Sequence, residues 1–182
     1  MSPQSSKPPS GNASADHRQE EPCGALSGAD TAQIGEIMKF KHFGSVSHGT
    51  MREEDLIPAF IDLLEELDSK KAEEFKLSWF SELLLEDREE TLSQMTESLF
   101  ELLEGFAPTG LYFGAHPGDG SDYGYWVCED QSWADDLLKV SDTSEVPLSY
   151  VGEVLHCNER GNLTLYFKAE NTEALQEVWS CV

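Results

Sequence analysis

Apolar residues between positions 50 and 106 recur at the three- and four-residue intervals of α-helices. They predict a first helix from Thr50 to Leu67, a second over about residues 70–85, and a third from Asp87 to a stop signal at Gly105. The side chains expected to face the core are Leu56, Ile57, Phe60, Ile61, Leu63, Leu64 and Leu67 in the first helix, some combination of Phe75, Leu77, Trp79, Phe80, Leu83 and Leu84 in the second, and Leu92, Met95, Leu99, Leu102 and Phe106 in the third.

Two of these helices begin with the spacing of a capping box, in which a side-chain oxygen and a Glu three residues later satisfy the first amides. The pairs are Thr50 with Glu53 and Asp87 with Glu90. Pro58 does not fit the interior of the first helix, because proline lacks an amide donor. Either this helix kinks there, or it begins nearer to Pro58.

Aromatic and β-branched runs in the second half of the chain predict strands. They cover Leu111–Ala115, Tyr123–Cys128, Ser149–Cys157, Leu163–Ala169 and Glu177–Val182. Residues 173–182 could instead form a short helix, and the first two segments form either a hairpin with a long loop or two strands that are not directly paired. A seven-residue connection separates the first two of these segments. We therefore expect an α+β fold, with an N-terminal three-helix region packed on a small, mainly antiparallel β-sheet drawn from the C-terminal half.

Three shorter segments complete the predicted elements. Met38, Phe40 and His42 alternate with lysines and indicate a short strand with one buried face. Residues 131–140 predict a short helix capped by Ser132. Gly161 supplies the positive φ angle of a hairpin turn between the strands of residues 149–157 and 163–169.

Residues 1–32 are rich in Pro, Ser and Gly and predict a disordered arm, because they offer almost no apolar surface to bury. Residues 33–182 predict a single α+β domain, with helices over about 50–105 and a β-rich part over 110–182. No secretory signal or transmembrane segment is expected. The four cysteines lack a CxxC pair, which favours reduced thiols and a cytoplasmic protein.

The formal net charge is −23, from 12 Lys and Arg against 35 Asp and Glu. The excess is carried by the predicted domain, with a net −11 over residues 31–110 and −10 over residues 111–182. Such a field repels nucleic-acid phosphates and anionic membranes, so we expect no direct binding to either. It attracts and steers a basic protein partner. Solubility is the competing explanation of the charge.

The connection between the first two predicted strands contains His116, Asp119 and Asp122. These three residues are the ligand types of a metal site, although their spacing differs from that of an EF-hand loop. Asp and Gly are also the residues that tight turns select. The third interpretation is a loop that contacts a partner. We predict no metal, no cofactor and no catalytic residue here.

Acidic residues fall mostly outside the apolar faces of the first and third helices. Carboxylates displayed on a rigid body imitate the phosphate array of DNA when their spacing is suitable. The residues predicted to contact a partner are Glu54, Asp62, Glu65 and Glu66 on the first helix, Glu97, Glu101 and Glu104 on the third, and His116, Asp119 and Asp122 in the loop.

Several runs resemble a group of uncharacterised small acidic proteins of bacteriophages and other mobile elements. They are FGSVSHGTMR over residues 43–52, EDLIPAF over 54–60, YFG over 112–114, GYW over 124–126 and GNLTL over 161–165. The resemblance covers most of residues 37–182 and carries no assigned activity. It implies a bacterial cytoplasm as the setting.

We therefore predict a non-enzymatic accessory protein of a mobile element that binds a basic, nucleic-acid-handling protein. Anti-restriction or anti-CRISPR inhibition by DNA mimicry is its sharpest form. One alternative is a small metal-dependent hydrolase that uses His116, Asp119 and Asp122. The other is a structural or assembly protein whose acidity serves solubility only.

Overall fold

The computed structural model describes residues 39–82 and 89–181 of the chain. Helices occupy the N-terminal half and most strands the C-terminal half, which confirms the predicted α+β class. In chain order the elements are β1 (Gly44–His48), α1 (Glu53–Leu67), α2 (Ser69–Glu82), α3 (Glu89–Glu104), β2 (Leu111–His116), β3 (Asp119–Val127), β4 (Leu138–Val140), β5 (Gly152–Cys157), β6 (Leu163–Lys168) and β7 (Leu175–Cys181).

The described strands form two sheets, where the sequence predicts one. The three-stranded sheet has the order β1-β3-β2 and is antiparallel throughout. The four-stranded sheet has the order β4-β5-β6-β7, in which only the β4–β5 pair is parallel. The predicted prevalence of antiparallel pairing therefore holds in both sheets.

The predicted helix over residues 131–140 is wrong. Residues Gln131–Ala134 form a single 3-10 turn, and Leu138–Val140 form the parallel edge strand β4. The turn is capped by Asp130, whose side chain accepts a hydrogen bond from the Ser132 amide, so Ser132 is not the cap. Leu138 to Val140 form hydrogen bonds with the strand Val154 to His156 of β5. This tertiary pairing overrides the local helical pattern.

α1 forms the centre of the helical layer, since α2 and α3 both pack on it. Its apolar face is buried as predicted, with Leu67 partly covered. α1 also contacts β1, and α3 contacts β2, so the helices cover the three-stranded sheet. The buried residues of α1 are Leu56, Ile57, Phe60, Ile61, Leu63 and Leu64, and those of α3 are Leu92, Met95, Thr96, Leu99 and Leu103.

The start of α1 differs from the predicted capping box. The N-cap is Arg52, which makes no side-chain capping bond. Thr50 Oγ1 instead accepts a hydrogen bond from the Arg52 amide at 3.1 Å and donates one to Asp55 at 2.8 Å. The helix begins at Glu53 and contains Pro58, so a start nearer to the proline is also wrong.

Several predictions concern residues outside the described ranges. These include the arm over residues 1–32, Met38 in the first predicted strand, and Asp87 in the second capping box. Leu83 and Leu84 of the second helix belong to the same set. The division of the chain into an arm and one domain stays a prediction.

The strands confirm some predicted bounds and shift others. β1 starts at Gly44, after the predicted alternation around Phe40, because residues 44–48 are the ones that pair with β3. β2 and β3 are joined by Pro117 and Gly118 alone, so the connection has two residues where seven are predicted. The β5–β6 hairpin is confirmed, and Gly161 has the expected positive φ of 83°.

The two sheets meet around Trp179 of β7, which has no solvent exposure. Its indole Nε1–H donates to the carbonyl oxygen of Thr109, just before β2, at 2.8 Å. Leu111 and Leu165 pack against it, and Phe43 stacks parallel to its ring with 6.5 Å between centroids. These residues form an apolar cluster that joins the four-stranded sheet to the start of β1 and β2.

Cys128 is disulfide-bonded, while Cys157 and Cys181 are free thiols. The expectation that all four cysteines are reduced is therefore wrong for Cys128. None of the helices in the described part of the chain has the length and apolar character needed to span a bilayer.

Gly124, in the middle of β3, is expected to tolerate no side chain. A Cβ atom there would overlap the carbonyl oxygen of Gly44 and lie 2.8 Å from its carbonyl carbon, and backbone cannot move aside cheaply. We expect Gly124→Ala to lower the free energy of unfolding by about 3 kcal/mol. Gly120→Ala on the same strand is the control, because nothing lies within 4 Å of the corresponding Cβ position. Equal urea midpoints for the two variants would contradict the close approach of β1.

Candidate acidic binding surface

Two of the four predicted carboxylates of α1 have a cation nearby. Glu65 Oε2 lies 2.6 Å from Nζ of Lys76 on α2. Glu54 Oε2 lies 3.3 Å from the guanidinium of Arg52. These pairs are at least one-third exposed, so each is worth little in stability, but each reduces the negative potential that a partner would meet. The sequence does not reveal the pair of Lys76 and Glu65, because these two residues meet only through the packing of α2 on α1.

Asp62 and Glu66, the other two predicted carboxylates of α1, share a polar cleft of about 410 Å³ with the segment before β1. Lys41 and His42 line the same cleft. The His42 Nδ1 lies 3.9 Å from Glu66 Oε2. The basic residues near the start of β1 thus face the acidic side of α1, and this face has mixed charge.

α3 is different, because it contains five Glu and no Lys or Arg. Glu97 and Glu101 are exposed and form no ion pair with another described residue. Glu90 is also exposed, and its Oε1 lies 3.5 Å from Nε2 of Gln94, a neutral neighbour. The outer side of α3 therefore presents carboxylates whose charge no described cation offsets.

Glu104 does not belong with the exposed carboxylates of α3. It is half-buried, and its Oε2 accepts a hydrogen bond of 2.6 Å from the Phe113 amide at the start of β2. Its negative charge also adds to the effect of burial, which raises the pKa of Tyr125 far above its ordinary value. Glu104 therefore joins α3 to the sheet, and its contact with a partner stays a prediction.

The three residues of the predicted contact loop lie around the β2–β3 turn. Asp119 is exposed, and its Oδ1 accepts hydrogen bonds from the amide of Ser121 at 3.0 Å and from its hydroxyl at 2.7 Å. These two bonds hold the pKa of Asp119 below its ordinary value, with smaller contributions from His48 and His116. The same geometry is the turn chemistry that the sequence offers as one explanation for this Asp.

His116 and Asp122 of the β2–β3 hairpin also form contacts with other residues. The His116 ring stands edge-on to Trp126 at 4.6 Å, and its Nδ1 accepts a hydrogen bond from the Gly118 amide. Asp122 is mostly covered, with 17% of its side chain exposed, and accepts from the Ser45 hydroxyl at 2.5 Å. Each of the three predicted residues thus has its own protein partner, and that of Asp122 lies on β1.

No group of three His, Cys, Asp or Glu side chains within residues 39–82 and 89–181 is arranged to hold a metal ion. The described set includes His116, Asp119 and Asp122, and also His156 with Cys157. The metal-dependent hydrolase therefore stays a prediction without a described set of ligands.

A groove between α2 and α3 is the feature that the sequence analysis missed. Both helices pack on α1 but make little direct contact with each other within the described residues. The groove has a volume of about 360 Å³. Its lining residues are Glu74, Phe75 and Ser78 of α2 and Thr91, Gln94, Met95 and Ser98 of α3.

The inward face of α2 is narrow. Ala72 is fully buried, and Phe75 and Trp79 are partly buried. Leu77 and Phe80, two of the predicted core candidates, are 73% and 65% exposed. The spacing of Ala72, Phe75 and Trp79 is that of one helix face, and it could have shown that Leu77 and Phe80 point elsewhere.

No family model, curated protein or solved structure matches this chain. The resemblance to acidic proteins of phages and mobile elements therefore stays a prediction, and so does the bacterial setting that it implies.

The Ser121 hydroxyl is expected to control part of the Asp119 titration. We expect Ser121→Ala to raise the pKa of Asp119 toward its ordinary value but not fully, because the amide bond, the larger cause of the lowered pKa, remains. A carboxyl with a lowered pKa stabilises the fold above its unfolded pKa, and this contribution is lost as the pH falls through the folded pKa. In the variant, the interval between the folded and the unfolded pKa of Asp119 should therefore be narrower.

Carboxyl NMR titration of wild type and Ser121→Ala measures this change directly. Asp142 serves as the internal reference, because its side chain is held by Ser144 in the same way and its pKa is likewise lowered. An unchanged Asp119 titration in the variant would show that the hydroxyl bond does not form.

Proposed function

We propose that this chain is a non-enzymatic binding protein whose partner is a basic, nucleic-acid-handling protein. The observation that carries the proposal is the outer side of α3, where Glu90, Glu97 and Glu101 are exposed and no described cation offsets them. A basic partner would be steered to this side by long-range attraction.

The contrast between α1 and α3 supports a specific surface over charge spread for solubility. Both helices are acidic on their outer sides, yet Glu54 and Glu65 of α1 each have a cation within 4 Å, whereas no described cation lies beside a carboxylate of α3. If the acidity served solubility only, compensation would not be expected to differ between neighbouring helices. We therefore expect the partner to bind on the α3 side.

The spacing along α3 tests the strict form of DNA mimicry. With a rise of about 1.5 Å per residue, Glu97 and Glu101 are separated by roughly 6 Å along the axis, and Glu90 precedes Glu97 by roughly 10 Å. Duplex DNA carries one phosphate per about 3.4 Å of axis on each strand. α3 is therefore more dilute in charge than one DNA strand, and displacement of the partner by duplex DNA is the measurement that tests mimicry.

The experiment compares two charge-matched triple variants. Glu90→Gln, Glu97→Gln and Glu101→Gln together remove the exposed row of α3. Glu159→Gln, Glu170→Gln and Glu173→Gln together remove three exposed carboxylates near the four-stranded sheet. Each tagged protein is used to recover partners from bacterial lysate at low salt, and the recovered protein is then purified and titrated.

We expect a basic partner that is released at high salt and displaced by duplex DNA. At about 0.7 kcal/mol per exposed carboxylate, the α3 triple variant should weaken its binding by roughly thirtyfold. The control triple variant should change binding by less than about threefold. Recovery of no salt-sensitive basic protein, or equal losses in both variants, would overturn the proposal. Salt-insensitive self-association would instead favour a structural or assembly role.

A further inference from the structure

We propose that the groove between α2 and α3 receives an amphipathic basic helix of the partner protein. This inference rests on the proposed function, and it adds the place and the shape of the contact. A helix that lays its apolar face into an apolar groove is a recurring mode of peptide recognition. The groove supplies the apolar surface, and the acidic residues beside it supply the matching charge.

The floor of the groove is apolar and adaptable. Phe75 of α2 is partly buried there, and Met95 of α3 is 7% exposed. Methionine has a flexible, polarisable side chain that fits apolar groups of varied shape. The walls carry the small hydroxyl residues Ser78, Thr91 and Ser98. Small walls around an apolar floor leave room for aliphatic side chains from a second helix.

The rim of the groove is acidic on both sides. Glu74 of α2 lines it directly. On α3, Glu90 and Glu97 lie four residues before and three residues after the lining residue Gln94, and Glu101 lies three residues after Ser98. Residues three and four apart are neighbours on a helix surface, so these carboxylates lie beside the groove. The occupant that fits an apolar floor and an acidic rim is a helix with one apolar face and basic residues on either side of it.

An acidic occupant would face repulsion from Glu74 and the α3 carboxylates, so charge excludes an acidic partner helix and disfavours a second copy of this chain's acidic helices.

The test uses a defined probe and the full chain. The probe is a fluorescein-labelled 18-residue helix of leucine and lysine, with the leucines on one face. The control probe has the same composition in an order that destroys the apolar face. Binding is followed by fluorescence anisotropy at low salt. We expect the amphipathic probe to bind the wild-type chain about tenfold more tightly than the scrambled probe.

Two single substitutions locate the binding. Ser98→Arg places a large cation in the groove wall, at an exposed position where the fold has room for it. Ser149→Arg adds the same charge on an exposed loop before β5. Ser98→Arg should weaken binding of the amphipathic probe about tenfold, and Ser149→Arg less than about twofold. Ser78→Arg repeats the test on the α2 wall, and thermal melts by circular dichroism verify that each variant folds.

The outcomes separate this inference from the proposed function. If both probes bind equally well, or if Ser98→Arg and Ser149→Arg behave alike, the groove is not the docking site. The acidic surface still stands in that case when the α3 triple Gln variant binds the partner less tightly. If neither the triple variant nor Ser98→Arg weakens any binding, both proposals fail.

Discussion

Tyr125 is the residue on which the helical layer and the three-stranded sheet both depend. It is fully buried in the central strand β3, and its hydroxyl donates to the carbonyl oxygen of Leu103 in α3 at 2.7 Å. Its ring packs edge-on to Phe40 at 4.8 Å and against Phe113 at 5.0 Å. Burial raises its pKa, so the phenol stays protonated and remains a donor. One side chain thus fixes α3 against the sheet, and with it the direction in which the acidic side of α3 faces.

Much of this arrangement could be predicted from the order of residues. The apolar face of α1 and the β5–β6 hairpin depend on contacts near in sequence, and helical periodicity and turn chemistry report such contacts well. The two-sheet division could not be predicted, because it depends on pairing between distant segments. β4 shows the difficulty: three residues that continue a helical pattern instead form a parallel edge with β5.

The charge balance of the candidate surface could not be predicted from the sequence, for a related physical reason. Composition identifies the acidic residues but not which of them have a cation nearby. Glu65 and Lys76 are 11 residues apart on different helices, and Glu104 reaches an amide nine residues away in β2. The potential of a surface depends on such tertiary pairs, since a nearby opposite charge removes most of what a distant partner would sense. α1 and α3 are both acidic in sequence, but the fold places cations beside carboxylates of α1 alone among the described residues.

A net charge of −23 opposes compaction through self-repulsion, so the placement of the few cations matters. Lys76 and Arg52 both lie beside carboxylates of α1, the most buried helix of the layer, where repulsion would act on the largest apolar core. Among the residues that the structure describes, no Lys or Arg lies beside a carboxylate of α3. The same helix forms one wall of a groove that no described element fills. Uncovered apolar surface and unpaired charge each carry a cost in an isolated protein, and a single basic, amphipathic partner would relieve both at once.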